Sequence, residues 1–255
     1  MIKSCPYLHL PVILKMKALT RYAKKRPKRI KALLNSFPES NDLEILHRVR
    51  LEIKKIKTLL RLIHYNNKSF KEHSAFIPFR TIFRACEKIR EPKVLHTLVV
   101  KFTGVTDLPA PYSQSLIQQF TNKIPAHVRT VKRQEKKLLQ EIEKVKFTTY
   151  KKYLRNKTKE LKIALSTALS VQKLHAIRKL IKEIYYLLTI TNKSKSIDPF
   201  FKLSDSLIGA WHDKSIVIEK MKRAVPPHTD LIKKLHQEKR ADIANLKRLI
   251  KDFYH

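Results

Sequence analysis

Apolar residues recur at steps of three and four along most of the chain, which is the spacing of one face of an α-helix. Asn41 and Glu44 have the spacing of a capping box at the start of one such segment. Pro27 is predicted to break the basic segment 24–31, and Pro78 and Pro92 to distort the helix that contains them. The pattern predicts an all-α protein with helices over residues 43–64, 73–101, 113–123, 126–146, 149–170, 171–191, 199–224 and 228–254.

The connections between these helices are short, which predicts up-and-down helical bundles. Residues 103–111 hold a glycine and two prolines and are the best candidate boundary. They divide the chain into a first helical half, residues 1–110, and a second, residues 111–255, which together form one domain. The chain has only two glycines, Gly104 and Gly209. Two are too few for the hairpins, dinucleotide-binding turns and phosphate-binding loops that depend on glycine.

The two most regular amphipathic segments are copies of each other. Residues 46–56 are LHRVRLEIKKI and residues 174–184 are LHAIRKLIKEI. The apolar positions form one stripe about 80° wide, at ~100° per residue, and such a stripe should face a core. These positions are Leu46, Val49, Ile53, Ile56 and Leu60 in the first copy, and Leu174, Ile177, Ile181, Ile184 and Leu188 in the second.

A second stripe, beside the apolar one, is basic. Cations next to a core stripe point into a cleft between helices, where they repel one another unless the cleft receives an anion. A single histidine in this stripe could simply be a structural residue at the edge of the core. Because His, Arg and Lys recur at the same spacing in both copies, a binding site is the better explanation. The stripe consists of His47, Arg50, Lys54, Lys57 and Arg61 in the first copy, and of His175, Arg178 and Lys182 in the second, where Tyr185 replaces Lys57.

The charge balance points the same way. The chain has 56 Lys and Arg against 21 Asp and Glu, a net charge of +35 with neutral histidines. Such an excess opposes a compact fold and is relieved by a bound polyanion. General solubility or adaptation to salt is the simpler explanation, but such adaptation usually adds acidic residues. Composition leaves nucleic acid, polyphosphate, anionic lipid and acidic protein open as partners.

The cysteine pattern and the N-terminal segment predict a cytoplasmic protein. Cys5 and Cys86 form neither a disulfide framework nor a zinc motif, which fits a reducing compartment. The apolar stretch 8–14 is short, contains His9 and Pro11, and is followed by lysines, so we expect no signal peptide. No apolar run approaches the ~20 residues of a membrane-spanning helix.

The pattern H-x-x-R-x-x-x-K on a helix, repeated near the middle of the chain, resembles the conserved-histidine α-helical domain (CHAD) family. In that family each repeat is followed by a helix with a pattern like L-G-x-x-R-D. Residues 207–213, LIGAWHD, resemble it with His212 in place of the Arg. Residues 84–91, RACEKIRE, are a looser counterpart, in which Glu87 replaces the Gly and Glu91 the Asp.

The resemblance implies two pseudo-symmetric helical bundles around a basic central channel that binds inorganic polyphosphate. Because the sequence holds no catalytic or metal-binding motif, we expect this binding to occur without catalysis, cofactor or metal. Granule targeting and phosphate homeostasis are roles that such binding could serve. Glu183 and Tyr185 make the second half of that channel less basic than the first. The residues expected to bind polyphosphate are His47, Arg50, Lys54, Lys57, Arg61, Arg84, Arg90, His175, Arg178, Lys182 and His212.

Two other functions would require different features of the sequence. Nucleic-acid binding would require aromatic residues among the basic ones, or a recognition helix. Polyphosphate turnover would require a nucleophile or a metal site, and the sequence holds no HExxH, P-loop or nucleophile elbow. Residues 141–146, EIEKVK, miss by one place the E-x-E-x-K signature of CYTH enzymes and are predicted to pair within a helix. The basic clusters 24–31, 132–137 and 151–162 are expected to be solvated or to extend the ligand path.

Overall fold

The computed structural model describes residues 12–104, 114–167, 170–191, 199–223 and 229–254, with side chains described between residues 17 and 252 of these ranges. Within this part of the chain there are eight α-helices and no β-strand, which confirms the predicted all-α fold. The helices are α1 (Val12–Ser40), α2 (Leu43–Asn66), α3 (Glu72–Thr103), α4 (Gln114–Glu143), α5 (Phe147–Leu165), α6 (Val171–Thr191), α7 (Pro199–Lys222) and α8 (Thr229–Tyr254).

Two helices continue through a proline at which the sequence predicted an interruption. α1 includes Pro27, and α4 includes Pro125, so one helix replaces the two predicted over residues 113–123 and 126–146. A proline inside a helix removes a backbone hydrogen bond and costs about 3 kcal/mol. Burial of Ile124 and Val131 on either side of Pro125 anchors α4 in its unit and offsets that cost.

The junction between α1 and α2 corrects the predicted capping box. The N-cap of α2 is Asp42, whose side chain accepts a hydrogen bond from the backbone N–H of Glu44 at 2.8 Å. Asn41 instead ends α1, with a positive φ of 50° and its N–H donating to the carbonyl of Phe37 at 2.8 Å. Asparagine tolerates this left-handed conformation better than most residues, so it closes one helix while its neighbour opens the next.

The described residues form two compact units. The first unit contains those within 7–93 and 111–156, and the second unit those within 94–110 and 157–255. The helix α4 therefore belongs with α1 and α2, although it lies beyond the predicted boundary between residues 110 and 111. The helices α3 and α5 each contribute to both units.

In the first unit, α2 lies at the centre. It packs against α1 and α4, and only Glu44 and Arg48 along its length are exposed. All five residues of its predicted apolar stripe are buried, as the periodicity predicted. The structure also buries Glu52 on this helix, where its carboxylate meets the guanidinium of Arg26 from α1 at 2.9 Å.

In the second unit, α7 packs against both α6 and α8, and the end of α3 adds Leu98 and Val99 to the core. The apolar stripe of α6 faces this core, except that Leu188 is only half-buried. One buried cation, Lys214 of α7, is held by Asp242 of α8 at 2.7 Å.

Candidate functional site

The basic stripe of α2 lies at the edge of the core. His47, Arg50, Lys54, Lys57 and Arg61 are all half-buried, whereas an ordinary solvated helix face would be exposed. The side chain of Arg50 is only 14% exposed. Charges this close to a core are partly removed from water, which strengthens their interaction with each other and with any anion that reaches them.

Helix α3 provides the opposite wall of this first cluster. The guanidinium of Arg50 lies over the ring of Phe83, 4.0 Å from its centroid, and donates a hydrogen bond to Glu87 at 2.7 Å. The ammonium groups of Lys54 and Lys57 lie near aromatic rings of α3, at 5.8 Å from Phe83 and 4.9 Å from Phe76 respectively. Aromatic faces fix the direction of these cations without neutralising them.

Burial and neighbouring cations both affect His47. Burial lowers its pKa, and the charges of Arg90, Lys54 and Arg50 lower it further, against an opposing effect of Glu44. Burial also lowers the pKa of Arg90, where Glu44 raises the pKa and Arg50 lowers it. The cluster thus holds several cations close together at the core edge, and an anion bound beside them would raise these pKa values.

Two predicted residues lie apart from this cluster. Arg61 approaches Glu72 at the start of α3, with Nε and carboxylate 3.6 Å apart. Arg84 lies on the exposed side of α3. The cluster built by the structure therefore consists of His47, Arg50, Lys54, Lys57 and Arg90.

In the second unit, α6 and α7 form the corresponding cluster. His175, Arg178 and Lys182 are half-buried on α6. Nε of Arg178 donates to Oδ1 of Asp205 at 3.1 Å, and Nζ of Lys182 lies 3.3 Å from the same oxygen. Burial lowers the pKa of Lys182, and so does Arg178, while Asp205 opposes both. One carboxylate thus serves two cations.

His212 joins this second cluster. Its ring and that of His175 are 4.9 Å apart between centroids, nearly perpendicular to each other. Burial lowers the pKa of His212, and the charges of His175 and Arg178 lower it further. Its Nδ1 atom is buried and has no hydrogen-bond partner in the described part of the chain. A buried polar atom of this kind can gain a partner from a ligand.

The two clusters share one arrangement of contacts. The alignment of residues 84–91 with α7 pairs Glu87 with Gly209, and the same register pairs Phe83 with Asp205. Arg50 contacts both Phe83 and Glu87. Arg178 contacts Asp205 and lies so close to Gly209 that an added Cβ would be 3.2 Å from its Nη2. Each cluster therefore holds its arginine with one carboxylate, placed one helical turn apart in the two copies.

Several residues of the two clusters lie outside the sequence motifs. Phe83 and Asp205 each lie one helical turn before the aligned positions Glu87 and Gly209. Lys239 of α8 lies over the ring of Trp211, 4.8 Å from its centroid, and burial lowers its pKa. The register of the repeat could have pointed to Phe83 and Asp205, but no local pattern distinguishes Lys239 from the other lysines of α8.

The described residues meet none of the requirements of a reactive cysteine, a metal site or a membrane span. Burial raises the pKa of Cys86 to about 12, so its thiol is protonated. Among these residues no group of three or more His, Cys, Asp or Glu is placed to hold a metal ion. Lys144 pairs with Glu141 at 2.6 Å, as predicted for this part of the sequence. None of the helices in the described ranges has the length and apolar character of a membrane span.

Comparison with known proteins adds no relative: no family model, curated protein or solved structure matches the chain.

Proposed function

We propose that the protein binds inorganic polyphosphate without catalysis, through the two His/Arg/Lys clusters. Arg50, Lys54 and Lys57 of the first cluster would contact phosphoryl oxygens, and His47 would donate a hydrogen bond. Arg178, Lys182, His175 and His212 would do so in the second. The observation that carries the proposal is the repeated convergence of half-buried cations, at the same helical spacing, on a smaller number of carboxylates.

The resemblance to CHAD proteins extends the proposal to the arrangement of the clusters. It implies two pseudo-symmetric bundles around a basic channel. Arg84 and Arg90 of α3 would extend the site along this channel. We propose this arrangement together with an association with polyphosphate in the cytoplasm. A flexible chain of phosphates suits such clusters because each phosphoryl group releases counterions when it meets a cation, and successive contacts add.

The contacts of the aromatic residues favour polyphosphate over single-stranded nucleic acid. Bases bind single-strand sites by stacking on aromatic faces. In the first cluster, the aromatic rings beside the basic stripe lie under cations: Arg50 lies over Phe83, and Lys57 lies near Phe76. These rings therefore serve to orient cations, which act on phosphate.

A competition titration tests the proposal. We expect long polyphosphate to displace a labelled tracer at lower concentration than duplex DNA or RNA at physiological salt. We also expect the affinity to fall steeply as salt increases, because released counterions then lose their entropic advantage. Equal or tighter binding of the nucleic acids that depends on Arg50, Lys54 and Lys57 would instead assign nucleic-acid binding to the clusters.

The carboxylate of Asp205 leads to a second prediction. A phosphoryl group entering the second cluster must compete with Asp205 for Arg178 and Lys182. We expect Asp205→Asn to tighten polyphosphate binding by about two- to fivefold, the scale of partly exposed ion pairs. Fluorescence titration against Asp230→Asn, whose side chain is 96% exposed, separates this effect from the change in net charge. Weaker binding by Asp205→Asn would mean that Asp205 orders the cations for the ligand.

A further inference from the structure

A different basic surface lies on α4, in the first unit. Arg129, Lys132, Arg133, Lys136 and Lys137 are exposed and, with Gln140, line one open depression. Their spacing places them on one face of the helix, opposite the buried Val131 and Leu138. These cations are far more exposed than those of the His/Arg/Lys clusters, so the surface is open to a wide ligand.

Helix α1 carries a matching row. Arg21, Lys24, Lys25, Lys28 and Arg29 are exposed and follow the same spacing as the row on α4. The two helices pack against each other and run antiparallel, because Phe37 of α1 meets Phe120 of α4 while the earlier Lys31 meets the later Glu135. The two rows therefore overlap along the helix axes, with the α1 row displaced towards the C-terminal end of α4.

The contact between Lys31 and Glu135 marks the line along which the two rows approach each other. Its atoms are 2.7 Å apart. On α1, Lys28 and Lys24 lie one and two turns before it, and on α4 Lys132 and Lys136 stand on either side of Glu135. We call the two rows together the α1/α4 surface. It consists of Arg21, Lys24, Lys25, Lys28 and Arg29 on α1, and Arg129, Lys132, Arg133, Lys136 and Lys137 on α4.

The α1/α4 surface has little acidic charge of its own. Residues 17–38 contain no Asp or Glu, and residues 129–140 contain only Glu135, whose carboxylate is engaged by Lys31. Each His/Arg/Lys cluster, by contrast, includes a carboxylate that holds its arginine. Apart from Arg29, which lies 3.7 Å from Glu52, the cations of the two rows have few acidic partners on α1 and α4, and such rows attract an anion that can neutralise both at once.

We infer that the α1/α4 surface binds the backbone of duplex nucleic acid without regard to sequence. Packed helices lie about 8–10 Å apart, which compares with groove widths of about 6 and 12 Å between the two phosphate strands of a duplex. A duplex can therefore place one strand along each row, whereas a single polyphosphate chain follows one row at a time. The exposed positions of these rows hold no aromatic residue, so the contacts are with phosphates and not with bases.

This inference does not depend on the polyphosphate proposal, and one set of variants tests them separately. The test variant replaces Lys24, Lys28, Lys132 and Lys136 with Gln. The control replaces four exposed cations of α8, Lys233, Lys234, Lys247 and Arg248, with Gln, and so removes the same charge. Each protein is titrated with a labelled mixed-sequence DNA duplex and, separately, with long polyphosphate over a range of salt concentrations.

We expect the test variant to lose at least about tenfold in duplex affinity, with the slope of log affinity against log salt reduced by about 3–4. Its polyphosphate affinity should stay within about threefold of the parent, as should the duplex affinity of the control. Equal duplex losses in both variants, or no duplex binding by the parent protein, would overturn the inference. Circular dichroism checks the folding of each variant. If the test variant unfolds, the pair Lys132→Gln and Lys136→Gln takes its place, with about half the change in slope.

Discussion

The combined variant Arg50→Ala, Lys54→Ala, Lys57→Ala should bind long polyphosphate at least about tenfold more weakly than the parent protein. Hydrogen bonds to charged groups contribute about 1.5–3 kcal/mol each, so three half-buried contacts exceed this loss even when a mobile polymer recovers some of them. The carboxylate of Glu87 would remain in the cluster without its arginine and would repel the ligand. Fluorescence titration at physiological salt measures the loss.

A control variant that removes the same number of charges elsewhere separates the cluster from bulk electrostatics. Lys233→Ala, Lys234→Ala and Lys247→Ala together remove three exposed cations of α8. Bulk electrostatics predicts equal losses for the two variants, whereas a preformed cluster predicts less than about threefold for the α8 variant. Lys239 is unsuitable for this control because it lies over Trp211, beside the second cluster. Equal losses with both proteins folded would reduce the clusters to part of a general basic surface.

The chemistry of Arg50 can be separated from its charge. Arg50→Lys keeps the positive charge but loses the planar group that lies over Phe83 and bonds to Glu87. If the guanidinium is held for two-point contact with a phosphoryl group, this single substitution weakens polyphosphate binding while the salt slope stays the same. If Arg50→Lys binds polyphosphate as tightly as the parent protein while the combined alanine variant does not, the contribution of Arg50 comes from its charge alone.

The sequence predicted the all-α fold and the basic stripes because both follow from helical spacing. The buried stripe of α2 fixes the angular position of every other residue on that helix, and so places Arg50 and Lys54 at the core edge. The same reasoning gave the stripe of α6. Whether the facing helix would offer an aromatic ring or a carboxylate was not predictable from either stripe.

The facing residues depend on how two helices approach each other, which local spacing does not determine. Phe83 and Asp205 occupy equivalent places in the repeat but have unrelated side chains, so composition gave no reason to compare them. The continuation of α4 through Pro125 has a similar origin. The local effect of proline predicts a break, and packing of the residues around it opposes that effect.

Glu52 is the clearest case of a role that tertiary structure alone determines. In sequence it is an acidic residue on a basic amphipathic helix and would be taken as solvated. In the structure its side chain keeps 7% exposure and lies 2.9 Å from Arg26, 2.7 Å from Lys55 and 3.7 Å from Arg29. Burial lowers the pKa of Lys55, and the hydrogen bond that Lys55 donates to Glu52 opposes that effect. One carboxylate therefore holds three cations between α1 and α2.

Removal of this carboxylate should strongly destabilise the fold. We expect Glu52→Ala to lower the free energy of unfolding by about 3–5 kcal/mol, because Arg26 would be left buried and without a counter-ion beside two further cations. Urea unfolding monitored by circular dichroism measures the change. Glu219→Ala removes the same charge from a pair in which both side chains are more than half exposed, and we expect it to cost less than about 1 kcal/mol.

The pair of substitutions Arg26→Met and Glu52→Leu distinguishes an unpaired charge from lost packing. Replacement of both buried partners by apolar side chains of similar size leaves no buried charge, while Lys55 and Arg29 are exposed enough to turn towards water. The double variant should therefore be more stable than Glu52→Ala, although it lacks the same ion pair. If it were equally or more unstable, the loss in Glu52→Ala would come from packing between α1 and α2. Glu52 would then act as a spacer in the core, and the charge of Arg26 would be tolerated there without it.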